Sequence, residues 1–233
     1  MNLSSKTHKN IAAEVTDLLA GVAGHDIEHI ERVMKLALSF ADAEHADQEV
    51  IILAVLLHDV DDYKIFGKDS ADNLTNANRM LDAHGVDPKI KSAVIEIIQS
   101  MGYNRYLEGV RPKTLEGMIV SDADMCDAIG AIGILRTHAF AVARGNAFFN
   151  KSIPPVSTAT SADQYRETKN SHTVQHFFDK LLGISSILMT ESGREEGKRR
   201  DIVMVDFLEQ LFREEDAQDW ITFLHERQVE SNL

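Results

Sequence analysis

Residues 50–64 read VIILAVLLHDVDDYK, and this stretch decides the class of fold. Residues 50–57 are all apolar, and a helix that is apolar on every side is usually buried at the centre of a domain. The β-branched content would also allow a strand, but the flanking helical patterns and Asp47, a suitable cap, favour a helix over about 47–58. The sequence therefore predicts an all-α protein built around this segment.

A histidine and an aspartate, His58 and Asp59, end this apolar helix. A buried carboxylate without a partner is costly, so Asp59 is expected to be paired or metal-bound. Adjacent side chains on a helix diverge by about 100°, which suits two ligands that approach one ion from different sides. Imidazole and carboxylate together suit divalent ions such as Mn, Fe and Zn. The alternative is a histidine that interacts with the dipole at the helix C-terminus.

Two further segments offer inward-facing groups of the same kinds. His29 lies one helical turn before Val33, which directs it towards the core, and the alternative is a hydrogen-bonded core histidine. Asp124 shares a stripe with Val120 and Ala128, so it also faces inward, where a carboxylate requires a cation. Two imidazoles and two carboxylates at inward-facing positions are hard to explain by packing alone.

Helical periodicity dominates the rest of the chain. We expect helices over about 11–22, 30–41, 70–84, 88–101, 114–144 (one helix or two abutting ones), 171–190, 194–213 and 215–229. The polar segments 61–70, 102–113 and 145–170 are expected to be loops, the last a lid, a binding loop or a disordered connection. Two prolines in 145–170 would suit a domain boundary. We nevertheless expect one domain over 1–233, with the last three helices packed against the first set.

Composition and charge exclude some partners. The 233 residues carry 24 basic and 37 acidic side chains, a formal charge of −13, so the chain would repel a long nucleic-acid backbone. The single cysteine, Cys126, rules out an intrachain disulfide. The chain has no signal-peptide pattern and no apolar run of ~18 residues. It is therefore expected to be soluble, cytoplasmic and not membrane-bound.

The order His29, His58-Asp59, Asp124 resembles the H…HD…D signature of the HD superfamily of metal-dependent phosphohydrolases. The surrounding residues are similar to one bacterial branch, the YedJ-like predicted hydrolases. The similar stretches span nearly the whole chain: 25–33, 56–59, 114–117, 122–124, 127–133, 176–182 and 190–194. The resemblance implies an HD-type helical bundle with the metal site between core helices. It also implies an HD core over about 20–145 with C-terminal helices over about 171–230 packed on it.

By this resemblance His29, His58, Asp59 and Asp124 are the ligands of one divalent ion. The ion would be Mn, Fe, Mg, Co, Ni or Zn, with Mn or Mg favoured for activity. A single ion is implied because binuclear members carry extra histidines between the HD pair and the last aspartate. Only His84 lies there in this chain.

The resemblance also implies catalytic and substrate-binding residues. Asp62 lies where related enzymes carry an acidic residue that positions or deprotonates water, and Lys64 would act in catalysis and contact phosphate. Arg144 is a further candidate for binding the substrate. The alternatives are a solvated loop acid for Asp62 and a surface lysine for Lys64.

These residues imply a metal-dependent phosphohydrolase that acts on a small phosphorylated metabolite, namely a nucleotide. The reaction would be that of a nucleoside triphosphate pyrophosphohydrolase or of a 5'-nucleotidase. The alternative is a metal-binding regulatory or ligand-binding module without turnover. Asp62 argues against this alternative, because a purely structural site needs no spare acid. A third hypothesis is an interaction protein that docks through its last three helices, and the sequence leaves a homodimer open.

Overall fold

The regular elements of the structure, a computed structural model, are all helices. The structure describes residue 3 and residues 5–21, 27–153, 155 and 172–231. Within these ranges there is no β-strand, so the predicted all-α class is confirmed. No helix in the described part of the chain is long and apolar enough to cross a lipid bilayer.

The chain forms two compact units, Met1–Asp124 and Met125–Leu233. The helices that begin in the first unit are α1 (Lys6–Leu18), α2 (Ile27–Glu44), α3 (Gln48–Leu57), α4 (Tyr63–Asn73), α5 (Thr75–Ala83), α6 (Pro88–Ser100), α7 (Tyr103–Leu107) and α8 (Leu115–Asp127). The boundary between the units falls inside α8. The expectation of a single domain, with the C-terminal helices packed on an HD core, stays a prediction.

Helix α3 is the centre of the first unit, as its sequence predicts. It packs against α1, α2 and α6, and nearly all of its apolar side chains are buried. The predicted cap is confirmed, because the Asp47 side chain accepts a hydrogen bond from the Glu49 backbone N–H at 2.9 Å. A second predicted boundary is confirmed at α6, where Asp87 caps the helix and Pro88 occupies its first turn.

The segment after α3 differs from the prediction. A loop was expected over 61–70, but α4 begins at Tyr63, because the Asp62 side chain caps its first turn. Gly67, with a φ of 81°, kinks this helix. The single helix expected over 70–84 is divided at Leu74, which adopts a left-handed conformation between α4 and α5.

The second unit begins at the end of α8. Its helices are α9 (Gly130–Ala143), α10 (Thr173–Asp179), α11 (Glu191–Glu214) and α12 (Gln218–Ser231), with 3₁₀ turns at Leu181–Gly183 and Ser185–Ile187. Helix α11 packs against α9, α12 and the second 3₁₀ turn, and α10 packs against α9. A cluster of rings from Phe149, Phe178, Phe212 and Trp220 fills part of this unit.

Two further helix boundaries were not specified by the sequence. The expected helical region 114–144 is two helices, α8 and α9, with Gly130 at a φ of 75° where α9 begins. A Cβ atom at Gly130 would also lie 3.0 Å from the Arg200 side chain. The helix expected over 171–190 ends at Asp179 and continues as 3₁₀ turns. Most of the predicted lid over 145–170 lies outside the described residues.

Candidate metal centre

Three separate elements bring the predicted ligands together in the first unit. His29 lies in the first turn of α2, His58 and Asp59 lie in the turn that follows α3, and Asp124 lies on α8. Since α2 and α3 pack against each other, the start of one helix approaches the end of the other. The side chains of His29, His58, Asp59 and Asp124 therefore meet.

The four side chains converge through single atoms. The Nε2 atoms of His29 and His58 lie 3.2 Å apart. The Oδ2 atom of Asp59 lies 3.5 Å from each of them. The Oδ1 atom of Asp124 lies 3.5 Å from Nε2 of His29 and 3.8 Å from Nε2 of His58. All four atoms surround one small volume.

These distances fit the coordination of one ion. Ligand atoms about 2.1 Å from a common metal lie roughly 3.0 to 3.4 Å from one another in octahedral or tetrahedral geometry. The five separations that involve a histidine nitrogen, 3.2 to 3.8 Å, exceed that range by a few tenths of an ångström at most. Within the described residues, His29, His58 and Asp59 form a group that could hold a metal ion. The distances to Asp124 add a carboxylate to it.

The imidazole ring of His58 is oriented for metal binding by α3, the helix that precedes it. The Nδ1 atom of His58 lies 2.8 Å from the backbone carbonyl oxygen of Val55. Because a carbonyl oxygen only accepts, Nδ1 carries the proton and Nε2 keeps its lone pair. Such a second contact fixes both the tautomer and the orientation of a metal-binding imidazole.

Exposure differs between the two kinds of ligand. The side chains of His29 and His58 are each 4% exposed, whereas those of Asp59 and Asp124 are 12% and 26% exposed. The carboxylate side of the group thus opens towards solvent. An open side is typical of catalytic metal sites, which keep a position for water or substrate.

The carboxyl of Asp124 favours its ionised form. Burial opposes ionisation, but the hydrogen bond to His29 and the positive charges that His58 and His29 can carry together outweigh it and lower the pKa of Asp124. Asp124 is therefore an anion at neutral pH, as a metal ligand must be.

The predicted catalytic residues follow the metal group along the chain. The backbone N–H of Asp62 donates to the carbonyl oxygen of Asp59 at 3.2 Å. The Oδ1 atom of Asp62 accepts from the backbone N–H of Lys64 at 2.8 Å and so caps α4. The Lys64 side chain is exposed and lies over the ring of Tyr63. The cap is a structural function of Asp62, and its catalytic role stays a prediction.

Arg144 and His84 make contacts of other kinds. Arg144 belongs to the second unit, where its guanidinium lies 3.6 Å from the ring centroid of Phe140, and its substrate role stays a prediction. His84 caps the end of α5, and its Nε2 lies 3.1 Å from the Glu14 carboxylate. The expectation of a single ion stays a prediction.

Sequence reasoning assigned no role to Asp61. Its side chain is 4% exposed, and its carboxylate accepts hydrogen bonds from the backbone N–H groups of Asn76 and Ala77, each at 2.9 Å, and from the Ser70 hydroxyl. Asp61 thus caps α5 from the turn that carries His58 and Asp59. No local pattern could have revealed this, because its partners lie 9 to 16 residues further along the chain.

Comparison with known proteins agrees with the geometry of the site. A family model for the HD domain matches residues 26–129, which include all four converging side chains. The protein YpgQ of Bacillus subtilis is 32% identical over 191 residues, 81% of this chain and 83% of YpgQ.

Solved structures extend the likeness to the fold. A Lactobacillus plantarum protein is 28% identical with a TM-score of 0.78, and the match covers 93% of this chain and 100% of that one. An HD-superfamily hydrolase from Bacillus thuringiensis is 30% identical with a TM-score of 0.71, over 91% of this chain and 98% of that one. YpgQ in complex with ADP is 28% identical with a TM-score of 0.67, over 89% of this chain and 97% of that one.

The finer assignment to the YedJ-like branch stays a prediction. The broader assignment rests on the matched family model, the relatives and the shared helical fold. This chain belongs to the HD superfamily of hydrolases.

Proposed function

We propose that this chain is a metal-dependent phosphohydrolase whose substrate is a small phosphorylated metabolite, a nucleotide. The observation that carries the proposal is the convergence of two imidazole nitrogens and two carboxylates, from His29, His58, Asp59 and Asp124, on one volume that opens on its carboxylate side. Asp62 follows His58 and Asp59 in the same turn and supplies a carboxyl group outside this set of four.

These four residues would hold one divalent ion, with Mn or Mg favoured for activity. When bound, such an ion neutralises phosphoryl oxygens and lowers the pKa of water. Charge also requires a cation here, because Asp59 and Asp124, on a chain with a formal charge of −13, would otherwise repel a phosphate group.

The remaining steps belong to side chains of this protein. Asp62 accepts a proton from the attacking water through Oδ2, since Oδ1 serves the cap of α4. A positioned base of this kind contributes roughly 10²- to 10⁴-fold in rate. The positive charges of Lys64 and Arg144 would bind the phosphate and stabilise the charge that develops on it.

The nucleotide class is supported by the relative YpgQ, whose structure was solved in complex with ADP. Two reactions use the same groups at this site. A nucleoside triphosphate would lose pyrophosphate, or a nucleoside monophosphate would lose phosphate, and water attacks a phosphorus atom in both. The products distinguish the two reactions.

A release screen tests the proposal. Metal-stripped protein is incubated with Mn²⁺, Mg²⁺, Co²⁺, Ni²⁺ or Zn²⁺ and with nucleoside mono-, di- and triphosphates, and phosphate, pyrophosphate and nucleotide products are separated by anion-exchange chromatography. The variants are His58→Ala and, as a matched control, His84→Ala, whose imidazole binds Glu14 outside the metal group.

We expect metal-dependent release by the wild type and by His84→Ala, and none by His58→Ala. Release by His58→Ala at the wild-type rate would refute the site. Silence across the panel, from a protein that binds one ion per chain, would favour the binding module without turnover.

A further inference from the structure

Asp61 is a buried acid that the proposed chemistry does not use. It lies between Asp59, a proposed ligand, and Asp62, the proposed base. Both of its carboxylate oxygens are engaged: Oδ1 by the Asn76 backbone and the Ser70 hydroxyl, and Oδ2 by the Ala77 backbone. Within the described residues, the group that could hold a metal ion does not include Asp61.

We propose that Asp61 is a positioning residue, whose buried carboxylate fixes the turn 58–62 against the start of α5 and thereby sets the geometry of the metal ligands in that turn. The inference rests on the proposed function in one respect, that this turn binds a metal ion.

A second contact joins the same two segments. The Asn76 side chain donates from Nδ2 to the carbonyl oxygen of Val60 at 2.9 Å, and the Asn76 backbone N–H donates to Asp61. Asn76 thus holds the turn against the start of α5 at two points. We call these two bonds the Asp61–Asn76 clasp.

The turn has weak support of its own. Its internal backbone hydrogen bonds are long, 3.4 Å from the Val60 N–H to the Leu57 carbonyl and 3.2 Å from the Asp62 N–H to the Asp59 carbonyl. The bonds of the clasp are shorter, 2.9 Å each, and the one to Asp61 has a charged acceptor, which strengthens it. The orientation of the turn therefore depends on α5 more than on its own backbone.

The position of the negative charge adds to this effect. The carboxylate of Asp61 meets two backbone N–H groups at the start of α5, where the helix dipole also favours an anion. Replacing Asp61 by asparagine would keep one acceptor oxygen and direct an amide group at the Ala77 N–H, or reverse the two. Either arrangement loses a bond and shifts the turn.

The test compares three variants that differ in which contact they remove. Asp61→Asn disrupts the clasp, and Asn76→Ala removes only the side-chain bond to Val60. Asp87→Asn is the matched control, because Asp87 caps α6 through the Lys89 N–H at 2.8 Å and has no contact with the turn 58–62. Each variant is measured for thermal unfolding in EDTA, Mn²⁺ affinity by calorimetry, and the visible absorption spectrum of its Co²⁺ form.

We expect Asp61→Asn to weaken Mn²⁺ binding by about 10- to 100-fold, as loss of a residue that orients metal ligands does, and to change the Co²⁺ spectrum. Asn76→Ala should weaken binding less, in the same direction. Asp87→Asn should keep the wild-type affinity and spectrum, because asparagine caps a helix about as well as aspartate does. A merely structural role for Asp61 would predict that Asp61→Asn keeps them too.

The inference is overturned if folded Asp61→Asn and Asn76→Ala both bind Mn²⁺ and Co²⁺ as the wild type does. If Asp61→Asn does not fold, Asn76→Ala decides alone by the same two readouts. Wild-type protein that binds no Mn²⁺ or Co²⁺ would refute the proposed metal site itself, and the inference with it. That result differs from the first one, in which the wild type binds the ions and both variants bind them equally well.

Discussion

The Nε2 atoms of His29 and His58 lie 3.2 Å apart, although 29 positions separate the two residues in sequence. The rings meet edge-on at an angle of 64° with centroids 5.3 Å apart, so neither covers the face of the other. This orientation suits two lone pairs directed at a shared cation. We therefore expect stability, metal binding and turnover to be linked at this point of the fold.

Metal addition is expected to stabilise the protein through this group. An ion that binds only the folded state, at 100 times its Kd, raises the free energy of unfolding by about 2.7 kcal/mol. For a chain of this size that corresponds to roughly 5–10 °C in the unfolding temperature. Differential scanning fluorimetry with Mn²⁺ after EDTA treatment measures the shift.

The shift should vanish in His58→Ala and persist in His84→Ala. An equal shift in all three proteins would mean that the ion binds elsewhere.

Asp62→Ala is expected to separate capping from catalysis. Loss of the α4 cap should lower stability by about 1 kcal/mol, while loss of the base should lower kcat by roughly 10²- to 10⁴-fold with the metal still bound. Asp87→Ala loses an equivalent cap on α6 and should keep its kcat. Urea unfolding, calorimetry with Mn²⁺ and steady-state kinetics are compared. Equal kcat values in the two variants would show that Asp62 is only a cap.

Asp201 on α11 is expected to destabilise the folded protein at neutral pH. Burial raises the pKa of its carboxyl to about 6, although the Ser185 hydroxyl donates to it and opposes the rise. Between the unfolded pKa of about 3.9 and about 6, the folded state binds more protons, so stability falls as pH rises through this window.

Asp201→Asn removes that cost and should raise the free energy of unfolding at pH 8 by up to about 3 kcal/mol, with a gain that shrinks towards pH 4. Urea unfolding at several pH values measures it. Asp206→Asn, which changes an exposed acid on the same helix, is the control and should leave the free energy of unfolding nearly unchanged. A gain for Asp201→Asn that does not depend on pH would contradict this account.

Gly133→Ala is expected to disturb the start of α9. A Cβ atom there would lie 2.3 Å from the Ala128 carbonyl oxygen and 2.8 Å from its carbon, and both are backbone atoms that cannot turn away. A loss of about 1–3 kcal/mol is typical of such overpacking. Urea unfolding measures the loss, with Ala139→Ser on an exposed position of the same helix as control. Unchanged stability would mean that the backbone at Ala128 yields easily.

Some features of this protein could be predicted from local sequence. The burial of α3 follows from its uninterrupted apolar run, and the starts of α3 and α6 follow from Asp47 and Asp87, each of which bonds a backbone N–H two residues later. In all these cases the cause and its effect lie within a few residues of each other.

The four converging side chains were identified by motif, because their order resembles a known signature. The sequence alone determined which residue types were present and that they face inward. It did not determine that their ligand atoms lie 3.2 to 3.8 Å apart, since that depends on how α2, α3 and α8 pack. Helix packing is a sum of many long-range contacts, and periodicity carries no information about their geometry.

Only the tertiary structure separated the roles of Asp61 and Asp62. The two acids are adjacent and chemically identical in sequence, yet one is buried as the cap of α5 and the other is a half-buried cap of α4. The partners of Asp61 are backbone N–H groups 15 and 16 residues later, which the chain brings back only after α4 has formed. Local pattern predicted the helical class and the residue types of the site, since capping and periodicity act within a few residues. Long-range folding decided which carboxylate is engaged by the start of α5 and which carboxylates converge with the histidines, since those contacts join distant segments.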